Sequence, residues 1–417
     1  MKKVFLAVGL TIGSWASAQS YVNQVLILNE GYYDYTNSVI VEPVTVGSYN
    51  PATQVYHVVD TLAGMRFGSD LVIDGEFYYV AADTKIYKIN LNTHAIVASV
   101  DCPGVRNLAV YQNKLVATRG EYMTTYDAYL HVYDIADLHL IQAFDTNNGP
   151  KWASQNIVID GSTAYVAVNN GYDWGNEKGI VGKLDLNAMT YGNEIDLGVD
   201  GKNPDNLVKS GNYILAVNNK DWSGASVSKI ALADNAVSTV NLSTASTGCG
   251  TSALRDDKLI YQVSQETTVH QFDYAVMNNV GPIAGIDMNF YELSHDAIND
   301  LLYASNTDFF SYGKVYVYDN TNAEVTHFNT GTSPGTIVFD VRSQAGLDEN
   351  AISFSVSPNP ANHFISVNSA VEGDVKILDQ AGKVVLNVNA KTIDVSALAN
   401  GTYFVSFNGT TEKFIKL

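Results

Sequence analysis

The sequence predicts an all-β chain: a seven-bladed β-propeller closed by its N-terminal strands, followed by a small C-terminal β-sandwich. Three observations carry this expectation. The chain of 417 residues holds 26 Tyr and 32 Gly but only 9 Pro, a mixture that short strands joined by Gly, Asn and Asp turns produce. A strand-turn-strand unit recurs six times in the middle of the chain. The strands left over at the two ends of that array add up to one further unit.

The recurring unit is an apolar run, a tight turn and a second apolar run. The first copy is Leu71-Val72-Ile73, turning at Asp74-Gly75, then Tyr78-Tyr79-Val80-Ala81. The turns recur at Gly75, Asn113, Gly161, Gly211, Asp257 and Asp300, a mean spacing of about 45 residues and the period of a four-stranded blade. Alternating strands follow each pair, as at Ile86–Ile89, Leu130–Tyr133 and Val315–Tyr318. Buried inner strands read as apolar runs and half-exposed outer ones as alternation, which is the order here. Six blades fill Gly68 to Gly331. Thr336–Phe339 remains as a lone inner strand, and Val25–Leu28, Ser38–Val41 and Val55–Val59 lack an inner partner. Joined, they make a seventh, composite blade that removes the exposed sheet edges.

Both ends of the chain read as export signals. Lys2 and Lys3 precede an apolar run from Val4 to about Trp15, ending in Ala16-Ser17-Ala18. This is the pattern of a secretory signal peptide over 1–18, too short to span a bilayer. The propeller is expected over 19–342, a polar linker over 343–351 and a separate module over 352–417. That module holds Pro358-Asn359-Pro360, an Asp379 to Gly382 turn, Gly401-Thr402-Tyr403-Phe404 and a closing Lys413-Phe414-Ile415-Lys416-Leu417. On those residues it closely resembles the C-terminal sorting domain of the type IX secretion system. The resemblance implies the secretion machinery as a partner, passage across an outer membrane, and release or attachment at the cell surface.

The propeller resembles secreted YncE-like seven-bladed propellers. Asn29-Glu30-Gly31 after the first strand resembles a branch of surface propellers that includes cobalamin-capturing partners of outer-membrane transporters. Those capture proteins carry a lipidated cysteine, whereas here the sorting domain takes that place.

Composition narrows the function. A net charge of −19 repels phosphate backbones and argues against nucleic acid. No Gly-x-Ser-x-Gly elbow, phosphate-binding Gly loop or His-Glu-x-x-His occurs. No catalytic residue, cofactor or metal is expected, and the chain is read as a monomer. Cys102 and Cys249 fall in blades two and five, too far apart to pair, and are expected as free, mostly buried thiols. Asn169–Glu177 is the best calcium-like loop, but ordinary turn chemistry explains it better than a cation site.

The positive signal is the contrast between two sets of loops. One set is short, as at Asp74-Gly75 and Ser210-Gly211. The other is long and aromatic, and function favours such loops. Trp152, Trp174 and Trp222 all lie in it, with Tyr33, Arg106, Arg119, Tyr122, Tyr126, Tyr172 and Phe290. These ten residues are the candidate ligand site, for a small molecule or glycan held by ring stacking and directional hydrogen bonds. The inner strands open on Ser69-Asp70, Arg106-Asn107, Gln155-Asn156, Asp205-Asn206 and Gly250-Thr251. Amides dominate there, and Asp70 and Asp205 are expected far apart. That favours a non-catalytic binding module, with an outer-membrane transporter as a candidate partner, over a propeller lactonase or lyase or a structural adhesin.

Overall fold

The computed structural model describes residues 19–221, 223–344, 354–368, 375–380, 382–407 and 410–417. The expected leader over 1–18, most of the linker and Trp222 lie outside the described residues. The chain divides into two compact units, one holding Tyr21–Arg342 and one holding the C-terminal residues from Ser343. Among the described residues no helix is long and apolar enough to cross a membrane.

Within the larger unit the described residues form seven four-stranded antiparallel sheets, an arrangement of propeller type. In six of them four consecutive strands pair in chain order. The strands that begin these six sheets are Gly68–Asp74, Val105–Tyr111, Ser154–Asp160, Pro204–Ser210, Thr247–Arg255 and Leu293–Asp296. The remaining sheet draws on both ends of the unit, in the order Pro334–Gln344, Gln19–Asn29, Val44–Asn50, Val55–Leu62.

The third strand of this composite sheet corrects the sequence reading, which put Ser38–Val41 there. Val39–Glu42 instead pairs with Tyr32–Asp34 as a separate hairpin. Val44–Asn50 takes the place in the sheet, with Leu28 opposite Val46 and Val25 opposite Tyr49. Gly31 explains the detour. Its φ of +82° is a left-handed conformation, and a Cβ there would meet the Glu42 carbonyl oxygen at 2.7 Å. The chain therefore leaves the sheet at Gly31 and re-enters after Pro43.

Apolar residues alternate between the two faces of every sheet, so each sheet contributes to two cores. Leu26, Leu28 and Val46 pack with Leu71, Tyr78 and Val80. Val25, Ile27 and Tyr49, on the opposite face, pack with Tyr303, Val315 and Val317. The composite sheet thus sits between the first and last of the six regular ones. Tyr79 and Leu115 share the next core, and the pattern continues from sheet to sheet.

The C-terminal unit holds a three-stranded sheet of Ser355–Ser357, Phe364–Asn368 and Thr392–Asp394. Its four-stranded sheet is Val384–Val388, Val375–Leu378, Gly401–Phe407 and Thr410–Lys416. Both contribute to one core around Ile365, Ile377, Val405 and Phe414. Its core residues are its own, so a chain ending at residue 351 should keep the melting transition of the larger unit, read by calorimetry.

Leu28 and Ile27 are fully buried on opposite faces of the N-terminal strand. Leu28→Ala and Ile27→Ala should each cost about 2–5 kcal/mol in urea unfolding. A loss under about 1 kcal/mol would mean that this strand does not seal the two cores.

Candidate functional site

In five of the six regular sheets the first strand is irregular at its start, whereas Leu293–Asp296 pairs in unbroken register. The ladder with its neighbour slips between Gly68 and Asp70, Val105 and Leu108, Ser154 and Ile157, Pro204 and Asn206, and Thr247 and Ser252. Such bulges free side chains from strict alternation and re-aim them. The residues released include Ser69, Arg106, Asn107, Gln155, Asn156 and Asp205.

Some of these side chains reach sideways to the next sheet. Ser69 Oγ donates to the Val105 carbonyl at 3.1 Å, and Asp70 accepts from the Leu108 N–H at 2.7 Å. Asn156 accepts from the Leu207 N–H at 3.1 Å. Asn206 donates to Ser252 Oγ at 2.7 Å, Thr251 to the Tyr291 carbonyl at 2.9 Å, and Ser294 to the Ile337 carbonyl at 2.9 Å.

The same bulged ends line a cavity of about 810 Å³. Its wall holds Asp70, Arg106, Asn107, Gln155, Asn156, Asp205 and Asn206, with Glu30, Tyr291, Glu292 and Gly335 completing it. The Tyr32–Asp34 hairpin contributes Tyr32, Tyr33, Asp34 and Tyr35, and Phe309 and Phe310 come from a loop of the sixth regular sheet. Tyr32 meets Phe310 edge-on at 5.2 Å and Tyr291 meets Phe309 at 4.9 Å.

Four of the ten sequence-derived candidates line this cavity: Tyr33, Arg106, Tyr122 and Tyr172. Arg106 is sandwiched between rings, 4.4 Å from the centre of Tyr172 and 5.0 Å from that of Phe67. Tyr172 donates to Gln155 at 3.1 Å. Trp174 stands beside the cavity rather than in it, 70% exposed, with its ring 5.6 Å from Tyr122.

The other described candidates do structural work. Phe290 is buried in the core between the fifth and sixth regular sheets. Trp152 packs on the core between the second and third, under the Lys178 ammonium at 5.2 Å. Arg119 is buried, donating to the Pro103 and Ala128 carbonyls, and Tyr126 covers it at 4.0 Å. Burial first and the Arg119 charge second push the neighbouring His131 down to about 4. Cys102 is a buried free thiol, and the Cys249 side chain lies outside the described residues. In the Asn169–Glu177 loop the polar groups bond one another: Asn176 donates to Asp173 at 3.0 Å, and Glu177 accepts from the Gly175 N–H at 3.0 Å.

The carboxylates change the picture most. Asp70 and Asp205 are not isolated, because both act electrostatically on Glu292, as does Glu30. Glu30 accepts from the Tyr291 hydroxyl at 2.8 Å. Gly335 makes room for it, since a Cβ there would meet Glu30 Oε1 at 1.9 Å. Enclosure by protein pushes Glu30 up to about 7, against the Tyr291 bond and the Arg106 charge. It pushes Asp70 up to about 6, against hydrogen bonds from Leu108, Leu71 and Asn107. Glu292 is raised well above the usual carboxylate range, by enclosure first and by Asp70, Glu30 and Asp205 after it. All three keep partial solvent exposure through the open cavity. The sequence reading missed Glu30 and Glu292 as site residues. The signal lay in their place: Glu30 follows the first strand and Glu292 immediately precedes Leu293–Asp296.

Residues 355–417 match the model of the secretion system C-terminal sorting domain. The protein is therefore one that is secreted or held at the cell surface. No curated protein matches the chain. Solved structures do. A hypothetical selenium-binding protein from Sulfolobus tokodaii is 8% identical with a TM-score of 0.57, over 76% of this chain and 94% of that one. The extracellular domain of a putative one-component system from B. thetaiotaomicron is 12% identical with a TM-score of 0.52, over 97% and 60%. A putative 6-phosphogluconolactonase from Bacteroides fragilis is 14% identical with a TM-score of 0.52, over 76% and 98%. At such identities the likeness speaks for a propeller-like fold and for nothing further.

A raised carboxyl binds its proton more tightly in the folded chain than in the unfolded one. Its stabilising contribution is therefore complete below pH 4.5 and is lost as pH rises through the folded value. Glu292→Gln removes that loss. The variant should gain about 1 kcal/mol or more over the parent at pH 8, roughly 2 °C in melting temperature, and nothing at pH 4. Equal melting differences at both pH values would show that Glu292 ionises freely.

Proposed function

We propose that the seven sheets are the blades of one closed ring, and that the protein is an exported, non-catalytic binding module whose ligand occupies the cavity at the mouth of that ring. The composite sheet and the chain of shared cores support closure. The leading observation for binding is the cavity itself. The bulged ends of four inner strands and the Tyr32–Asp34 hairpin bring charged, amide and aromatic side chains to one concave wall. Its volume suits a small molecule or a short glycan, with rings to stack on and amides to direct hydrogen bonds. Kinship with YncE-like surface propellers, and service to an outer-membrane transporter, belong to the same reading. So does handling by the type IX machinery through residues 355–417. Deleting those residues should leave the protein inside the outer membrane, as fractionation would read.

A second reading, acid–base catalysis, draws on Asp70 near 6 and Glu30 near 7, values that place a proton within reach at neutral pH. It predicts turnover of the bound ligand and loss of turnover, with binding kept, in Glu30→Gln.

The binding reading is tested by screening small molecules and glycans for thermal stabilisation of the protein. Arg106→Ala and Tyr172→Ala should each weaken a true ligand tenfold or more, about 1.4 kcal/mol or above. Phe290→Ala should instead lower stability through its core. Ligands indifferent to both Arg106→Ala and Tyr172→Ala would place the site elsewhere.

A further inference from the structure

The charges around the cavity do not balance. Arg66 is committed to Asp83 at 2.6 Å and to Glu121 at 3.4 Å. Arg106 donates to the Gly120 carbonyl and lies against Phe67 and Tyr172, and its charge reaches Glu30. Against that cation stand Glu30, Asp70, Asp205 and Glu292. Asp70 is held by backbone N–H groups of Leu71 and Leu108, and Glu30 by the Tyr291 hydroxyl. Among the described residues the Glu292 carboxyl has neither a hydrogen bond nor an ion pair, and the charged groups that act on it are three other carboxyls.

An enclosed carboxylate without a partner is costly, and a positive charge brought into the cavity relieves it. A bare metal ion suits the arrangement poorly. Among the described residues the one group of three or more acids and histidines whose ligand atoms lie within 4.8 Å of one another is Asp134, Asp137 and His139, on a turn away from the cavity. The four cavity carboxyls are too widely spread to close on a single ion, and hard cations want several oxygens at about 2.0–2.6 Å. Their spread suits a larger group with N–H donors pointing outward. The rings of Tyr33, Tyr172 and Tyr291 line the same wall, and ring faces also attract cations.

We infer that the ligand of this cavity carries a cationic nitrogen, an ammonium or guanidinium group seated among Glu30, Asp70, Asp205 and Glu292. The inference rests on the binding reading above and narrows its ligand class from any small molecule or glycan to an organic amine or an amino sugar. It has a signature that a neutral ligand lacks. In the empty cavity enclosure raises Glu292 above the ordinary carboxylate range and Glu30 to about 7. A cation favours their ionised forms, so an amine that itself stays protonated releases protons on binding and gains affinity as pH rises through about 7. Asp34, Asp70, Asp205, Glu121, Arg66, Arg106 and the hydroxyls of Tyr32, Tyr33, Tyr35, Tyr122, Tyr172 and Tyr291 are the other titratable or charged groups on the wall.

The test is calorimetric titration of the whole chain with matched pairs, each an amine and its fully N-acetylated derivative: the glucosamine tetramer, phenethylamine and spermidine. Titrations in phosphate and in MOPS, whose ionisation heats differ and neither of which is a net cation, read the protons released by phenethylamine and spermidine, whose amines stay largely protonated up to pH 8. In at least one pair the amine should bind tenfold or more tightly than its acetylated partner and release protons. Glu292→Gln should abolish that preference while keeping the native circular dichroism, and Glu292→Asp should restore part of it. Equal binding within the pairs, or preference for the acetylated members, overturns the cationic ligand and leaves the cavity reading standing. If no member of any pair binds, the cationic ligand is likewise overturned. The cavity reading then falls with it only if the ligand screen also yields nothing sensitive to Arg106→Ala.

Discussion

The bulge at the start of five of the first strands is the constraint on which the rest of the structure depends. A regular strand would alternate its side chains strictly between the two inter-sheet cores. Slipping the ladder releases one or more residues from that alternation. Some of those residues, such as Ser69, together with their neighbours Asp70, Asn156 and Asn206, tie one sheet to the backbone of the next. Others, such as Arg106 and Asp205, are left on the wall of the cavity. One local irregularity, repeated, therefore supplies both the lateral stitching of the array and the chemistry of its cavity. Side-chain to backbone bonds of this kind matter because an inner strand has no ladder partner on its free edge, and buried N–H groups must be satisfied.

Asp70 shows how closely the two roles are joined. Its carboxyl accepts from two backbone N–H groups, which ordinarily lowers a carboxylate, yet enclosure wins and the group stays raised. The stitching residues cannot be optimised for stability without filling or neutralising the cavity. Glu292 is the extreme case, with its carboxyl surrounded by like charges. A chain selected for stability alone would place an amide there, so the carboxyl is where the fold gives up stability.

Much of this was legible in the sequence, and the rest failed for identifiable reasons. The 45-residue period and the Asp-Gly, Ser-Gly and Asp-Asp turns mark the sheets, because inner strands are apolar on both faces. The pairs Ser69-Asp70, Arg106-Asn107, Gln155-Asn156 and Asp205-Asn206 were legible as polar starts of apolar runs, but the slips in register that release them were not, because a slip depends on the partner strand. The composite sheet was misread in its third strand. Ser38–Val41 has the stronger β-type composition, but the left-handed turn at Gly31 and the re-entry after Pro43 belong to tertiary geometry. Loop aromatics were over-assigned to the ligand. A ring in a connecting segment packs wherever two sheets leave a gap, as Phe290 and Trp152 do, and no local pattern separates that from a ring facing solvent. Glu30 and Glu292 escaped notice because each stands just outside a strand, where a charged residue reads as ordinary loop.

The composite sheet joins Gln19–Asn29 to Pro334–Gln344, strands more than 300 residues apart. Gln19–Asn29 pairs early with Val44–Asn50 on one edge but is among the last strands to be paired on both. Until Pro334–Gln344 arrives, one edge of Gln19–Asn29 keeps its backbone groups unmatched, and long-range pairing of this kind is slow. A chain whose last sheet pairing waits for its far end remains incompletely folded for as long as that end is withheld. For a protein that has to be moved across membranes, the delay is a timer written into the strand order.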